Sequence, residues 1–391
     1  MTLDDLPTPS LILDLARLER NLIRMRERAS ALGVRLRPHL KTAKSARIAA
    51  LAHGGEAGPV TVSTLAEAAY FAAAGFTDIL YAVGIVPAKL AQAAAIMRQG
   101  GDSSAGGIDL KLITDDVATA QAIAAKGQEL GVTFRVLIKI DTGLGRAGIA
   151  PDAESLLPLA AALNQPGAVL AGVLTHAGHS YHAHGAAEII AIAEAERAGV
   201  VRAAERLRQA GHACGIVSVG STPTALFAEK LPGITEMRPG NYVFFDLFQA
   251  GLGTCAMDDI AVSVLASVTG RHRGRNHLLI DAGGLALSKD IGANEHRPHT
   301  GYGLVCLPGG ALPLPGLAVV DVHQEHGLIG PAGPAETAAA LPFERFPVGS
   351  RLRVLPNHSC MTAAMYDRYY VVSGQPGDGR VIAEWDRING W

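Results

Sequence analysis

The feature that most constrains this fold is a regular alternation of short apolar runs with alanine-rich helical stretches over the first 250 residues. The apolar runs, rich in β-branched residues, lie at residues 34–37, 60–62, 79–83, 110–113, 134–140, 169–174, 216–219 and around 242–245. Helical spacing of apolar residues fills the intervals between them. Eight such strand–helix units predict an α/β protein with a closed (β/α)8 TIM barrel. An open, doubly wound parallel sheet is the alternative.

The pattern changes beyond about residue 250, where helical periodicity disappears. Short strand-like runs follow at residues 260–268, 277–280, 317–322, 351–355 and 369–372, separated by turns rich in glycine and proline. The sequence therefore predicts two domains. A barrel spans residues 10–250, and a mostly β C-terminal domain spans residues 251–391 together with residues 1–9.

Composition excludes several classes of protein. Hydrophobic residues make up 49% and charged residues 18% of the chain, unlike a disordered protein. The 34 basic and 36 acidic side chains leave a net charge of −2 without a basic stripe, so nucleic acid is not an expected partner. No apolar run is long enough to span a membrane. The four cysteines are scattered, which predicts reduced thiols and therefore a cytoplasmic protein. We expect an enzyme that acts on a small molecule.

Reactive side chains follow the predicted barrel strands, and barrel enzymes have their active sites at the C-terminal ends of these strands. The segments concerned are Arg37-Pro-His-Leu-Lys41, Asp141-Thr-Gly-Leu-Gly-Arg146, Thr175-His-Ala-Gly-His-Ser-Tyr181, Ser218-Val-Gly-Ser-Thr-Pro-Thr224 and Arg238-Pro-Gly-Asn-Tyr242.

The last two segments together predict a phosphate site. Gly220, Ser221 and Thr222 offer close backbone approach and two hydroxyls at the start of a short helix, and Gly240 and Asn241 offer opposing N–H groups. Barrels often bind a phosphate with the loops after strands seven and eight. The alternative for each loop is an ordinary helix cap with a turn glycine.

Lys41, at the end of the first strand, is the predicted catalytic residue. Opposite a phosphate site, a lysine suggests a Schiff base with pyridoxal 5'-phosphate (PLP). This chemistry needs a depressed lysine pKa, which nearby cations at Arg37, His39 and Lys44 would favour. The alternative is a solvated surface lysine.

Three further residues are predicted to contact the cofactor. Arg146 is placed near the ring oxygen, with an ion pair to Asp141 as the alternative. His176 is expected against the ring and is the second predicted catalytic residue, and its alternative is a hydrogen-bonded strand cap. Tyr181, at the end of the same segment, completes the predicted PLP-binding set.

A late motif, Pro356-Asn-His358-Ser-Cys360, predicts a metal site. Residues two apart in an extended segment point the same way, so an imidazole and a thiolate converge. His358 and Cys360 are half of a zinc site, and the thiolate favours zinc, with manganese or magnesium as alternatives. His323 and His326 are candidates for a further ligand. The alternative for Cys360 is an inert buried thiol.

Taken together, these motifs resemble one known family. Arg37-Pro-His-Leu-Lys41-Thr, Thr175-His-Ala-Gly, Ser218-Val-Gly-Ser-Thr-Pro-Thr, Gln324-Glu-His-Gly and Pro356-Asn-His-Ser-Cys360 are similar to motifs of the D-serine dehydratase and D-threonine aldolase family. These are fold-type III PLP enzymes related to alanine racemase. The resemblance implies an alanine racemase-like barrel with a β domain, Lys41 as the PLP-binding lysine, His358 and Cys360 as metal ligands, and a homodimer.

Within the family, His358-Ser-Cys360 and the phosphate loop resemble the dehydratase branch, which contains D-serine dehydratase and D-threo-3-hydroxyaspartate dehydratase. The expected reaction converts D-serine, D-threonine or D-threo-3-hydroxyaspartate to a 2-oxo acid and ammonia. The run Met365-Tyr-Asp367 resembles the aldolases, so cleavage to glycine and an aldehyde is the alternative. A racemase and a non-catalytic PLP carrier are more remote alternatives.

Overall fold

A computed structural model describes residues 1–100, 107–310, 312–333, 339–375 and 377–391. These residues form two compact units. One contains Arg24–Gly240 and Gly390–Trp391, and the other contains Met1–Ile23 and Asn241–Asn389. The first is the barrel unit and the second is the β unit below. The sequence-based division at residue 250 stays a prediction of the domain limits.

The secondary structure elements are numbered in chain order. The strands are β1 Ser10–Asp14, β2 Arg35–Leu36, β3 Val60–Val62, β4 Asp78–Gly84, β5 Asp109–Thr114, β6 Phe134–Lys139, β7 Ala168–Leu174, β8 Ile216–Val219, β9 Glu236–Met237, β10 Val262–His272, β11 His277–Ile280, β12 Gly303–Cys306, β13 Leu317–Val322, β14 Gly327–Pro331, β15 Arg351–Pro356, β16 Arg368–Val372 and β17 Val381–Asp386. The α-helices are α1 Leu15–Ala31, α2 Ala46–Ala52, α3 Leu65–Ala73, α4 Leu90–Met97, α5 Val117–Leu130, α6 Leu156–Leu163, α7 Ala186–Gln209, α8 Thr222–Phe227, α9 Leu247–Leu252, α10 Gly284–Leu287 and α11 Ser359–Ala363. None of the helices in these ranges is long and apolar enough to cross a membrane.

The barrel unit contains an eight-stranded parallel sheet in the order β2-β9-β8-β7-β6-β5-β4-β3. A parallel bridge between His39 and Thr61 joins the two outer strands of this order. The strands are buried on both faces, as expected for parallel strands covered by helices. The predicted TIM barrel is therefore confirmed, and the open doubly wound sheet is not the fold.

The position of the last barrel strand differs from the prediction. The strand is β9, whereas the predicted strand around 242–245 begins in a 3-10 turn over Asn241–Val243. The backbone N–H groups of Phe244 and Phe245 both donate to the Asn241 carbonyl, so this run folds back on itself instead of pairing with a neighbour. An aromatic run can be buried in a strand or in a turn, and the apolar pattern is the same in both cases. The pattern therefore predicted a strand where the structure has a turn.

The β unit is built on a nine-stranded sheet in the order β11-β14-β13-β12-β15-β10-β1-β16-β17. Strand β10 also pairs with β11, so the first six strands of this order form a closed ring. The five strands predicted after residue 250 are confirmed as β10, β11, β13, β15 and β16. Strand β1, which pairs with β10 and β16, was missed because five buried residues show no alternation.

Candidate active site

The predicted catalytic lysine lies at a cavity formed by the C-terminal ends of the barrel strands. Two adjoining cavities, of about 260 and 60 Å³, share His39, Lys41, Ala82, Ile113, Lys139 and Arg146 as lining residues. The smaller one is also lined by His176, Gly220 and Arg238. The segments that follow β2, β6, β7, β8 and β9 thus meet at one place, where barrel enzymes carry their chemistry.

The cavity carries a surplus of positive charge. Lys41, Lys139, Arg146 and Arg238 line it, and none of these four forms an ion pair in the described part of the chain. Burial, reinforced by Arg238, lowers the pKa of Lys139 to about 7. Burial also lowers the pKa of Arg238 to about 10, although buried glutamates oppose the shift. Four cations against the single carboxylate of Asp115 in the lining of the two cavities leave an excess of positive charge, which is suited to an anionic ligand.

Of the three cations predicted beside Lys41, His39 lines the same cavity and the other two are paired with carboxylates. Arg37 pairs with Glu236 and Asp78, and Lys44 Nζ lies 3.2 Å from Glu67 Oε1. The charges of Arg37 and Lys44 are therefore compensated by these partners. Lys139 and Arg238, which share its cavity, are the residues that sequence reasoning missed.

Two histidines of the cavity are neutral. The ring of His176 is bonded through Nδ1 to the carbonyl of Gly220, and burial lowers the pKa of His176 to about 3. Burial and the charge of Lys41 lower the pKa of His39 well below its usual range. With Nδ1 of His176 donating to the carbonyl, Nε2 is the ring nitrogen that accepts.

Arg146 is delivered to the cavity by a loop that Asp141 organises. The Asp141 carboxylate accepts from the backbone N–H groups of Gly143, Leu144 and Gly145 at 3.0, 3.0 and 2.9 Å. The carboxylate therefore binds the backbone and not the guanidinium, so the alternative ion pair between Asp141 and Arg146 does not form. Arg146 lines the cavity instead.

The predicted phosphate loop after β8 forms the N-terminus of α8. Ser221 caps α8: its Oγ accepts from the N–H of Thr224 at 3.1 Å, and its own N–H donates to Thr224 Oγ1 at 3.2 Å. The N–H of Gly220 donates to Glu196 at 3.1 Å. A phosphate at this loop would compete with these bonds.

The other predicted phosphate residues are placed as follows. Gly220 lines the cavity, whereas Tyr181, Ser221 and Thr222 are outside the lining residues of the two cavities described. Gly240 must be glycine, since a Cβ there would lie 2.8 Å from the carbonyl oxygen of His39. Their part in cofactor binding stays a prediction.

Asn241 belongs by its side chain to a second cluster, which lies in the β unit. Its amide Nδ2 donates to Asp246 Oδ2 at 2.6 Å and to Ser359 Oγ at 3.2 Å, and it lies 4.0 Å from Cys360 Sγ. Asp246 also caps α9 and accepts from the N–H of Ser359 at 3.0 Å. The segment that contains the predicted metal ligands is thus tied down by a buried carboxylate.

The two predicted metal ligands lie side by side in this cluster. His358 Nδ1 lies 2.8 Å from Asp290 Oδ2. Burial alone would lower the pKa of His358, but the Cys360 sulfur and Asp290 outweigh it and raise the pKa to about 11. A proton shared by an imidazole and a sulfur is what a soft divalent cation displaces on binding.

The residues present fit a divalent metal ion. An imidazole bonded through one ring nitrogen to a carboxylate is the usual arrangement of a metal-binding histidine, and the Cys360 sulfur lies beside this ring. Within the described ranges no group of three or more His, Cys, Asp or Glu has metal-binding geometry. His358 and Cys360 stay the two predicted ligands. Asp290 stands 68 positions from His358 and was missed by sequence reasoning.

His323 and His326 do not join this cluster. Both are exposed, and His323 Nε2 lies 3.9 Å from Asp321 Oδ2.

Comparison with known proteins assigns both units. Residues 13–247 match the model of the alanine racemase N-terminal domain, and residues 261–372 match that of the putative serine dehydratase domain. D-threo-3-hydroxyaspartate dehydratase of Delftia sp. (strain HT23) is 48% identical over 100% of this chain and 99% of its own length. D-serine dehydratase of Dictyostelium discoideum is 32% identical over 100% of this chain and 98% of its own. D-threonine aldolase of an Arthrobacter species is 29% identical over 97% and 91%.

Solved structures agree with the sequence comparison. The structure of the Delftia dehydratase covers the whole of both chains with a TM-score of 0.93 and 47% identity. Two further structures of that enzyme carry alanine in place of a histidine and in place of a cysteine two positions later, and the cysteine variant is described as metal-free. His358 and Cys360 have the same spacing. This chain therefore belongs to the D-serine dehydratase and D-threonine aldolase family of PLP-dependent enzymes, which share the alanine racemase-like barrel.

Proposed function

We propose that this protein is a PLP- and metal-dependent dehydratase that converts a 3-hydroxy-D-amino acid to a 2-oxo acid and ammonia. The observation that carries the proposal is the full-length identity of 48% with D-threo-3-hydroxyaspartate dehydratase, against 29% with D-threonine aldolase. The cationic cavity and the pair formed by His358 and Cys360 are consistent with it.

The barrel unit supplies the cofactor-binding half of the mechanism. PLP, when bound, provides an electron sink that stabilises negative charge at Cα of an amino acid. Lys41 Nζ would hold the cofactor and, as a base, would accept the proton from Cα of the substrate. Arg146 and Arg238 would balance the negative charge of the ligand in the cavity. His176, neutral because it is buried and bonded through Nδ1 to Gly220, would present an uncharged imidazole to the cofactor.

The β unit supplies the metal ligands. A divalent metal provides a Lewis acid that makes the β-hydroxyl a better leaving group, and hydroxide leaves poorly without such help. His358 and Cys360 would hold the ion, and zinc suits this pair of imidazole and thiolate ligands. Asp290 would fix the orientation and tautomer of the His358 ring. The substrate would lose water from Cα and Cβ, and hydrolysis of the remaining C–N bond would give the 2-oxo acid and ammonia.

The decisive experiment identifies products with and without metal. The purified protein is incubated with D-threo-3-hydroxyaspartate, D-serine and D-threonine, and ammonia, 2-oxo acid, glycine and aldehyde are measured. We expect ammonia and 2-oxo acid in equal amounts, their loss after chelation, and their recovery when zinc is added back. Cys360→Ala should abolish zinc recovery, with Cys306→Ala, at a buried thiol of the same unit, as the control.

Two outcomes would overturn the proposal. Glycine and an aldehyde as the products would assign the aldolase reaction. Full dehydration by metal-free protein would remove the role of His358 and Cys360. The homodimer and the cytoplasmic location are predictions from resemblance and composition, and light scattering on the purified protein tests the first.

A further inference from the structure

A line of polar side chains, buried except for the partly exposed Asp78 and Asp109, runs through the barrel unit from the cofactor cavity to the N-terminal ends of β4 and β5. Its charged members alternate in sign, and all are bonded one to the next: Arg238, Ser218, Glu236, Arg37, Asp78, Lys111 and Asp109. Arg238 lines the cavity, while Asp78 and Asp109 begin their strands. Such a network needs an explanation, because ion pairs buried in a core seldom stabilise it more than apolar residues would.

The link next to the cavity passes through a hydroxyl group. One guanidinium nitrogen of Arg238 donates to Ser218 Oγ, and the other donates to the carbonyl of Thr175. The Ser218 hydroxyl in turn donates to Glu236 Oε1 at 2.7 Å. Because a hydroxyl both accepts and donates, Ser218 passes the orientation of Glu236 on to Arg238.

Glu236 is itself held rigidly. Its other oxygen, Oε2, accepts from Arg37 Nε at 2.8 Å, and both Glu236 and Arg37 are almost completely buried. The remaining nitrogens of Arg37 bond to the two Asp78 oxygens at 2.7 and 3.1 Å. Arg37 is thus fixed between two carboxylates, and only one of them continues to the cavity.

Arg238 has no carboxylate among its direct bonding partners. The Ser218 hydroxyl and the Thr175 carbonyl, which it contacts, are both neutral. The carboxylate of Glu236, one bond further along, is the strongest of the charges that stabilise the buried guanidinium. Removing that carboxylate would leave the guanidinium beside neutral partners alone, so its orientation would be less firmly fixed.

We propose that Glu236, acting through the Ser218 hydroxyl, is a positioning residue that fixes the orientation of Arg238 at the cofactor cavity. The inference rests on the proposed function, since PLP is the ligand that Arg238 faces. It predicts that substitutions of Glu236 or Ser218 weaken cofactor binding through Arg238, whereas substitutions elsewhere in the ionic network do not.

The network offers a matched control for this path. Glu236→Gln and Asp78→Asn each remove one carboxylate from Arg37 by an isosteric change. Only Glu236 is connected to Arg238 through Ser218. Ser218→Ala breaks the connection while leaving the ion pair between Arg37 and Glu236 in place. If the network had only a structural role, Glu236→Gln, Ser218→Ala and Asp78→Asn would have similar effects on cofactor binding.

The experiment measures equilibrium binding of PLP and the pH dependence of the absorption of the bound cofactor, alongside urea unfolding, for the full-length protein and these variants. A hydrogen bond to a charged group contributes about 1.5–3 kcal/mol, so we expect Glu236→Gln and Ser218→Ala each to weaken PLP binding about tenfold or more and to shift the absorption titration. The double variant should lose no more than the larger single loss, because both changes cut the same path. Asp78→Asn should lower stability with PLP binding within about twofold of the unmodified protein.

Four outcomes would contradict the proposals, three of them the relay and one the proposed function. Additive losses in the double variant, or an equal loss of PLP binding in Asp78→Asn, would overturn the relay. Should Glu236→Gln fail to fold, Ser218→Ala alone still tests it, since unchanged PLP binding and an unchanged absorption titration would overturn it. If the unmodified protein binds no PLP, the proposed function fails, independently of the relay.

Discussion

The two units prepare their sites in opposite ways. In the barrel unit, Lys41, Lys139, Arg146 and Arg238 line one cavity without carboxylate partners, so like charges are held together at an energetic cost. In the β unit, Asp290 and Asp246 surround the segment of His358 and Cys360 and bond to it directly. We expect the first arrangement to bind an anion and the second to bind a cation, because the unbalanced charge of a site favours a ligand of the opposite sign.

The largest expected effect comes from removing the predicted cofactor-binding amine in the barrel unit. Lys41→Ala should lower turnover at least about a thousandfold, because covalent and general-base roles are lost together. Borohydride reduction followed by peptide mass spectrometry should find PLP on residue 41 of the unmodified protein. Lys44→Gln, at the lysine paired with Glu67, is the control and should remain active. A reduced adduct on Lys139 would contradict the assignment.

An intermediate effect is expected in the β unit. Asp290→Asn removes the charge that orients His358 and should weaken zinc binding about 10–100-fold, measured by competition with a chromophoric chelator. Asp321→Asn, beside the exposed His323, is the matched control and should leave zinc affinity unchanged. A much larger loss, or a changed number of bound ions, would mean that Asp290 itself coordinates the metal.

The smallest expected effect concerns the free energy that the barrel unit loses by burying the Lys139 amine near other positive charges. The folded-state pKa of Lys139 is lowered from the ordinary value of 10.5 to about 7. At pH values between these two pKa values, the unfolded chain binds a proton at Lys139 that the folded chain does not bind. Stability therefore rises with pH in this window. Lys139→Met should raise the free energy of unfolding of cofactor-free protein near pH 7 by about 1–3 kcal/mol, with a gain that shrinks as the pH rises.

Urea unfolding at several pH values checks this expectation. Lys126→Met is the control, because Lys126 pairs with Glu129 on the surface of a helix. A gain that did not depend on pH would show that the effect is one of packing and not of charge.

Sequence reasoning reached those parts of the molecule that local patterns encode. The barrel follows from the spacing of strands and helices, and Lys41, Arg146 and His176 were found because they follow strands directly and do share a cavity. His358 and Cys360 were found because residues two apart converge in an extended segment. Their roles as cofactor and metal ligands remain predictions.

What escaped the sequence depends on long-range contacts. Lys139 was read as one more position of an apolar strand, and its low pKa arises from burial together with the charge of Arg238, 99 positions further along the chain. Asp290 meets His358 only through the fold of the β unit. The ion pair of Arg37 with Glu236 joins residues 199 positions apart. No local spacing records such pairs, which is why the carboxylate partners of Arg37 and His358 were not predicted.

The closure of the barrel has a consequence for the predicted cofactor-binding lysine. Strands β2 and β9 have two residues each, and the sheet is closed beside them by the bridge of His39 with Thr61, two residues before Lys41. The backbone N–H of Leu40 donates to the carbonyl of Thr61 at 2.8 Å, and that of His39 donates to the carbonyl of Pro239 at 2.9 Å. The bonds that complete the cylinder therefore also anchor, on both sides, the backbone from which the Lys41 side chain extends.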